Sequence, residues 1–428
     1  MRGSRFRLAW VIALGLLIPA VAWAPRAYPL DGWEYTGIRR LQAYQMMLDG
    51  RIAGGFRLPP GALLPTSAMQ LRLATTGVDF DVEARDPALQ AGLERILAGR
   101  NPSYRIALLD ITDPEHPRYA AMREHEGYYP GSVGKLLVAT ALFDQLARLY
   151  PDDIDARARV LRETRIAADE FAMPNSHAVP VVADDFRSVV HRSVRIGDVF
   201  SLWEWVDHAL SPSSNAAGSM VWKQVLLLEE FGTAYPPTPQ QEAEFLRNTP
   251  PAELAARSIR LIENPLNAAG LDTARLYLRG HFTSGAQRRI PPQASRTSPR
   301  ELVRWLMRLE QGRIVDPWSS LEIKKLMYFT RRRYRYAASP ALSQAAVYFK
   351  SGSLYRCGQE AGYTCVQYAG NLENLMHSVA IVESPAGGAD GSQRVYLVSM
   401  MSNNLRINSA QEHMAIAAQI ERLVGETR

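Results

Sequence analysis

Apolar residues change their spacing several times along this chain, and each change marks an element. Leu89, Leu93 and Ile96–Leu97 recur at helical intervals within residues 86–99, which predicts an amphipathic helix. Residues 104–111 (YRIALLDI) are an almost unbroken apolar run, the pattern of a buried strand; a turn at Asp113-Pro114 then returns the chain through residues 118–122 as a hairpin partner. The run LLVATALFDQLARL after Lys135 is a helix whose first turn carries Ser132. Residues 151–299 read as mostly helical, with polar and Pro-rich breaks at 174–180 and 235–241. Within them DVFSLWEWVDHAL reads as one helical run ended by Ser211-Pro212. Thr297-Ser298-Pro299 with Glu301 close behind starts the helix RELVRWLMRLEQG, which Gly312 stops. Three strands (345–353, 377–383, 395–402) and a terminal helix (409–424) follow. Early strands, a helical middle and late strands fit one sheet only when the middle is an insertion closing over it. The expected fold class is therefore α/β of the α+β type: an antiparallel sheet built from early and late strands with flanking helices, plus an inserted all-helical subdomain at about 130–300.

Composition narrows the function classes. The 428 residues are 47% apolar with a net charge of +6 spread along the chain, which supports a large core and argues against a dedicated nucleic-acid surface. The cluster Arg331-Arg332-Arg333 lacks the register of such a module and reads as a solvated face. At the N-terminus, Arg2, Arg5 and Arg7 precede an apolar run from Leu8 to Ala24, the layout of an export signal. Ala22-Trp23-Ala24 offers small residues for cleavage but Pro25 follows, so an uncleaved membrane anchor is the alternative. Either way the remainder is expected outside the cytoplasm, in the periplasm or anchored facing it. Residues 25–85 form an extension with an amphipathic segment (GIRRLQAYQMMLDGRI) and a Pro/Gly-punctuated stretch (FRLPPGALLP), expected to pack on the main body, residues 86–428. Cys357 and Cys365 flank a short polar loop that a hairpin could close as a disulfide in an oxidising space, with two free buried thiols as the other reading. No HExxH or paired CxxC occurs, so neither a metal site nor a cofactor is expected.

The candidate chemistry lies in three short patterns. Ser132 and Lys135 in YPGSVGK are three residues apart at a helix start, so hydroxyl and amine share one face. Serine needs an adjacent base, and a lysine desolvated among apolar groups can lose its proton near neutral pH. Ser213-Ser214-Asn215 forms a turn between helices, offering a hydroxyl to relay protons and an amide to hold a substrate carbonyl and the lysine; the plain reading is a helix cap. Lys350-Ser351-Gly352-Ser353 places a lysine in an apolar strand. There Gly352 would let a substrate backbone come close, Ser351 and Ser353 would bind a carboxylate, and the Ser353 N–H would pair with that of Ser132 around an oxyanion.

In this order, S-V-G-K, S-S-N and K-S-G resemble the signature motifs of the penicillin-recognising serine hydrolase superfamily, class A β-lactamase-like and related to penicillin-binding proteins. The resemblance covers roughly residue 86 to the C-terminus. It implies Ser132 as acylated nucleophile, Lys135 as base or relay, Ser213 as proton shuttle, Asn215 as substrate contact, Lys350 as electrostatic support for Ser213, and Ser351 and Ser353 as carboxylate contacts. It also implies a glutamate and an asparagine four residues on for deacylation, which LIENPLN would supply as Glu263 and Asn267. The chain departs from class A in longer segments between motifs, the extension and the cysteine-bearing insertion. The expected activity is an exported serine hydrolase acting through an acyl-enzyme on a β-lactam or D-Ala-like amide. The alternatives are a D-alanyl-D-alanine carboxypeptidase or transpeptidase with a peptidoglycan-like substrate, and a non-catalytic envelope binding protein.

Overall fold

In the computed structural model residues 30–426 are described, apart from 56–57, 76–80, 83, 176, 331–332 and 386–392. The apolar run after Tyr104 forms β1 (Arg105–Asp110), and the return after Asp113-Pro114 forms β2 (Arg118–Met122). The late strands are β3 (Ala346–Arg356), β4 (Glu373–Ser384) and β5 (Arg394–Asn403). They make one five-stranded antiparallel sheet in the order β2-β1-β5-β4-β3. Leu108 of β1 stands opposite Ala120 on one side and Val398 on the other, so early and late strands meet at the centre of the sheet, as the element order requires.

The two-residue alternation of a strand divides the core. Ile106 and Leu108 pack with Leu89 and Leu93 of α2 (Pro87–Leu97) and with Ile416 and Ile420 of the terminal α9 (Ala410–Glu426). Ala107 and Leu109 face the opposite layer, built from α3 (Lys135–Leu149), α4 (Leu202–Leu210), α5 (Asn215–Phe231), α6 (Pro251–Ala268), α7 (Pro299–Glu310) and α8 (Pro317–Tyr328). α7 starts as its sequence dictates: Ser298 accepts from the Glu301 N–H, and Pro299 occupies the first turn, where its missing N–H costs nothing. Its apolar stripe (Leu302, Leu306, Leu309) is fully buried, each side chain contributing about 1.5–3 kcal/mol of transfer free energy. The Trp305 indole N–H donates to Thr140 Oγ1 on α3 at 3.2 Å.

Three features differ from the sequence reading. The start of DVFSLWEWVDHAL is a strand: Val199–Ser201 pairs with Arg165–Ala167, and α4 begins only after Ser201, which forms a capping box with Glu204. The break at 174–180 opens a hairpin, Ala178–Val182 against Val189–Ser193, whose valine-rich halves are short enough to pass for loop. Arg333 is half-buried and donates to the carbonyls of Ala345 and Gly61, so it lines no solvated face; Arg331 and Arg332 lie outside the described residues.

The extension packs on the body through α1 (Arg39–Leu48) and a turn at Pro60–Ala62. Ile38, Leu41 and Tyr44 join the core on the helical side. No helix among the described residues is long and apolar enough to cross a membrane, and the N-terminal segment read as a signal or anchor lies outside them.

Candidate functional site

One edge strand of the sheet is β3, and the chain turns against it just before α3. Gly131 opens a short 3-10 turn (Gly131–Gly134) with φ +53°, a left-handed conformation suited to glycine. Ser132 lies in that turn, and Lys135 is the first residue of α3. A Cβ on Gly352 would sit 2.5 Å from the carbonyl oxygen of Pro130. The close approach that Gly352 permits is thus the protein's own serine turn against β3, and not a substrate backbone as the sequence reading had it.

Lys135 is buried among apolar groups, 1% exposed, and its Nζ lies 4.7 Å from the centre of the Phe282 ring. The same Nζ is 2.8 Å from Ser132 Oγ, 2.9 Å from the carbonyl oxygen of Ser213 and 2.7 Å from Asn215 Oδ1. Burial, and secondly the charge of Lys350, hold its pKa well below the ordinary lysine value. All three oxygens accept from Nζ; once the amine is neutral, two N–H groups still serve the two carbonyl oxygens and the lone pair is left for the Ser132 hydroxyl proton.

Ser213 follows α4, in a turn where the Ser214 N–H donates to the His208 carbonyl and Ser214 Oγ caps α5 by accepting from Ala217. The cap reading holds for Ser214, while its neighbour Ser213 is held at φ +65°. A non-glycine residue there costs of order 1–3 kcal/mol and persists only where its surroundings fix it. Lys350 supplies one fixing contact, donating to Ser213 Oγ at 2.7 Å and to the Ser351 carbonyl at 3.0 Å. Its pKa is pushed down to about 7 by burial and then by the Arg335 charge. Arg335 is itself buried behind β3, where Nη1 donates to the Gly352 carbonyl at 2.7 Å.

Ser132, Asn215 and Ser353 line one cavity of about 580 Å³ with Tyr129, His281, Phe282 and Tyr355. His177 and Ala178, at the start of the inserted hairpin, close one side. Gln367 and Tyr368 close another; they follow the loop between Cys357 and Cys365, which form the disulfide with Cα atoms 5.9 Å apart. Ser351 is not among the lining residues. It is buried, with Oγ 2.8 Å from the Tyr334 hydroxyl, so Ser353 alone of the two expected carboxylate contacts faces the cavity.

Glu263 and Asn267 need correcting. LIENPLN is the last part of α6, with Leu261, Ile262, Pro265 and Leu266 buried in the core. That helical face turns Glu263 toward Arg279, whose Nε and Nη2 both donate to its carboxylate at 2.8 Å. Asn267 Oδ1 accepts from Thr273 Oγ1 on the exposed side. Neither residue lines the cavity, and among the described residues no carboxylate does. In place of a carboxylate the wall near Lys135 carries Phe282 and His281. The His281 ring stacks on Trp222 with centroids 4.2 Å apart, neither ring nitrogen has a hydrogen-bond partner among the described residues, and burial takes its pKa down to about 3. No sequence signal marked His281 or Phe282, because they follow an unremarkable strand-turn passage. Gln367 and Tyr368 were signalled only through the insertion that carries them. No group of three or more metal-ligating side chains occurs among the described residues.

The comparisons with known proteins agree with this architecture. Residues 259–427 match the model of the beta-lactamase enzyme family. The crystal structure of the TLA-1 extended-spectrum β-lactamase superposes with a TM-score of 0.51 at 14% identity, covering 79% of this chain and 98% of that one. That of the TLA-3 extended-spectrum β-lactamase gives 0.51 at 15% identity, covering 79% and 97%. A structure described as PBP-A gives 0.49 at 14% identity, covering 79% and 97%. No curated protein matches the chain. The sheet and the inserted helical layer thus have the β-lactamase-like fold of these structures, and residues 259–427 match the beta-lactamase enzyme family.

Proposed function

We propose that the chain is an exported serine acyltransferase that forms an acyl-enzyme at Ser132 on a β-lactam or a D-Ala-like amide. The observation that carries the reading is the buried Lys135 amine, in contact with Ser132 Oγ, the Ser213 carbonyl and Asn215 Oδ1 and, among the described residues, with no carboxylate in ion-pair range. In the proposed reaction Ser132 Oγ bonds to the carbonyl carbon and gives its proton to Lys135 Nζ. The backbone N–H groups of Ser132 and Ser353 hold the oxyanion. As the C–N bond breaks, the leaving nitrogen takes a proton from Ser213 Oγ, which recovers one from the Lys350 ammonium. Asn215 orients both lysine and substrate.

The fate of the acyl group divides the two readings. With Glu263 held by Arg279 and no carboxylate lining the cavity among the described residues, activation of water lacks its expected base. This favours a carboxypeptidase or transpeptidase of peptidoglycan-like substrates, with slow hydrolysis of penicillin, over a fast β-lactamase. Intact-mass analysis after incubation with penicillin tests it: a persistent adduct on Ser132 is expected. Rapid penicillin consumption with no lasting adduct would restore the β-lactamase reading. Neither adduct nor consumption would sink both and leave a binding protein.

A further inference from the structure

The extension holds α4 at both ends. Arg39 Nε, on α1, donates to Glu204 Oε1 at 2.8 Å in the first turn of α4. Arg40, the next residue, is 3% exposed and grips the other end. Its Nε and Nη2 donate to Asp207 Oδ2 and Oδ1 at 2.5 and 2.6 Å, a bidentate pair with a carboxylate that is fully buried. Arg40 Nη2 also donates to the Phe329 carbonyl at 2.8 Å. Ser211 Oγ reaches that same carbonyl at 3.4 Å, and Thr330 Oγ1 donates back to the Ser211 carbonyl at 3.4 Å. Ser211 caps α4 two residues before Ser213, whose carbonyl accepts from Lys135 and whose hydroxyl accepts from Lys350.

We infer that Arg40 is a positioning residue for the Ser213 turn, so that the N-terminal extension is part of the acylation machinery. Ser213 at φ +65° relaxes unless its flanks are fixed. The lysines fix the turn from the cavity side, and the Arg40–Asp207 pair with the Phe329 carbonyl fixes it from behind. Releasing that anchor lets Ser213 return to an ordinary φ, which takes its carbonyl from Lys135 and its hydroxyl from Lys350 together. This inference rests on the proposed function for its kinetic readout and not for its structural one.

The test uses the full chain. Arg40→Met alone leaves the Asp207 charge buried and unpaired and endangers folding, so the informative variant is Arg40→Met with Asp207→Leu, which replaces the pair by apolar groups of similar size. Amide hydrogen exchange in the peptide covering residues 205–218 is expected to rise at least about tenfold, while exchange in β1, β4 and β5 stays at the parent rate. Labelling of Ser132 by penicillin is expected to slow at least about tenfold at a temperature where the variant is folded. Arg40→Lys, with one donor group in place of the fork, should fall between the two. Parent-like exchange at the turn overturns the inference, as does acceleration spread equally over the sheet, which a merely structural role would produce. If the parent itself takes no label, the proposed function fails, and the exchange measurement still decides the role of Arg40.

Discussion

Two sets of buried lysines share this molecule and differ in what surrounds the amine. Lys324 on α8 is wholly buried, with Nζ 2.6 Å from Glu310 and 2.7 Å from Glu383; Arg72 of the extension joins the same Glu383. Lys223 on α5 is buried in the same way between Asp169 and Glu242. Lys135 and Lys350 are as deeply buried, yet among the described residues they meet hydroxyl, carbonyl and amide oxygens and no carboxylate. A carboxylate beside a buried amine compensates the charge that burial would otherwise leave bare. A buried ammonium with neutral partners alone gains by releasing its proton, and both members of the second set have lowered pKa values for that reason. Burial by itself therefore does not make a base; burial without a counter-charge does.

The largest effect that can break this contrast is at Lys135. Lys135→Met should slow acylation of Ser132 by about 10³-fold, within the span of general-base losses, while the urea midpoint stays at or above that of the parent. A variant that still labels at the parent rate would remove the lysine from the chemistry. Lys324→Met should do the opposite. It leaves Glu310 and Glu383 facing each other, costs about 3–5 kcal/mol in urea unfolding, and leaves the labelling rate of the folded protein within about twofold.

A smaller effect separates the two reactive lysines by pH. Acylation needs Lys135 neutral and Lys350 charged, so the rate rises as Lys135 loses its proton and falls as Lys350 loses its own, near pH 7. The sign for stability follows from the same lowered value. The unfolded chain keeps the Lys350 proton up to its ordinary range and the folded one does not, so this group adds stability as pH rises above about 7. Lys350→Arg keeps the charge at all these values and should remove the alkaline limb of the labelling profile; a limb that persists belongs to another group. The smallest expected effect is at Glu263. Because its carboxylate is spent on Arg279, Glu263→Gln should leave the lifetime of the penicillin adduct within about twofold, and a marked lengthening would return Glu263 to the mechanism.

Much of the site was readable because its signals are local. Ser132 and Lys135 are three residues apart, a distance that helical geometry alone converts into a contact. Lys350 stood out as a cation in an apolar strand. The misreadings at Glu263 and Asn267 have the same origin in reverse: a five-residue pattern matched a motif, but the apolar positions in and beside it, Leu261, Ile262 and Leu266, are buried on one face of α6 and leave Glu263 to Arg279.

The sequence by itself determined the alternation that splits the sheet into two faces, the cap that starts α7, and the pairing of a serine with a lysine on one turn. These depend on neighbours within a few residues, whose energies hold wherever the segment sits. Only the tertiary structure decided that Lys135 would meet the Ser213 carbonyl, 78 positions away, and that Glu263 would meet Arg279. It alone set Ser213 at a left-handed φ and placed Arg40 behind that turn, across 167 positions from Asp207. Such contacts are fixed by which surfaces exclude water together, and whether a buried amine finds a carboxylate or a carbonyl there sets its charge.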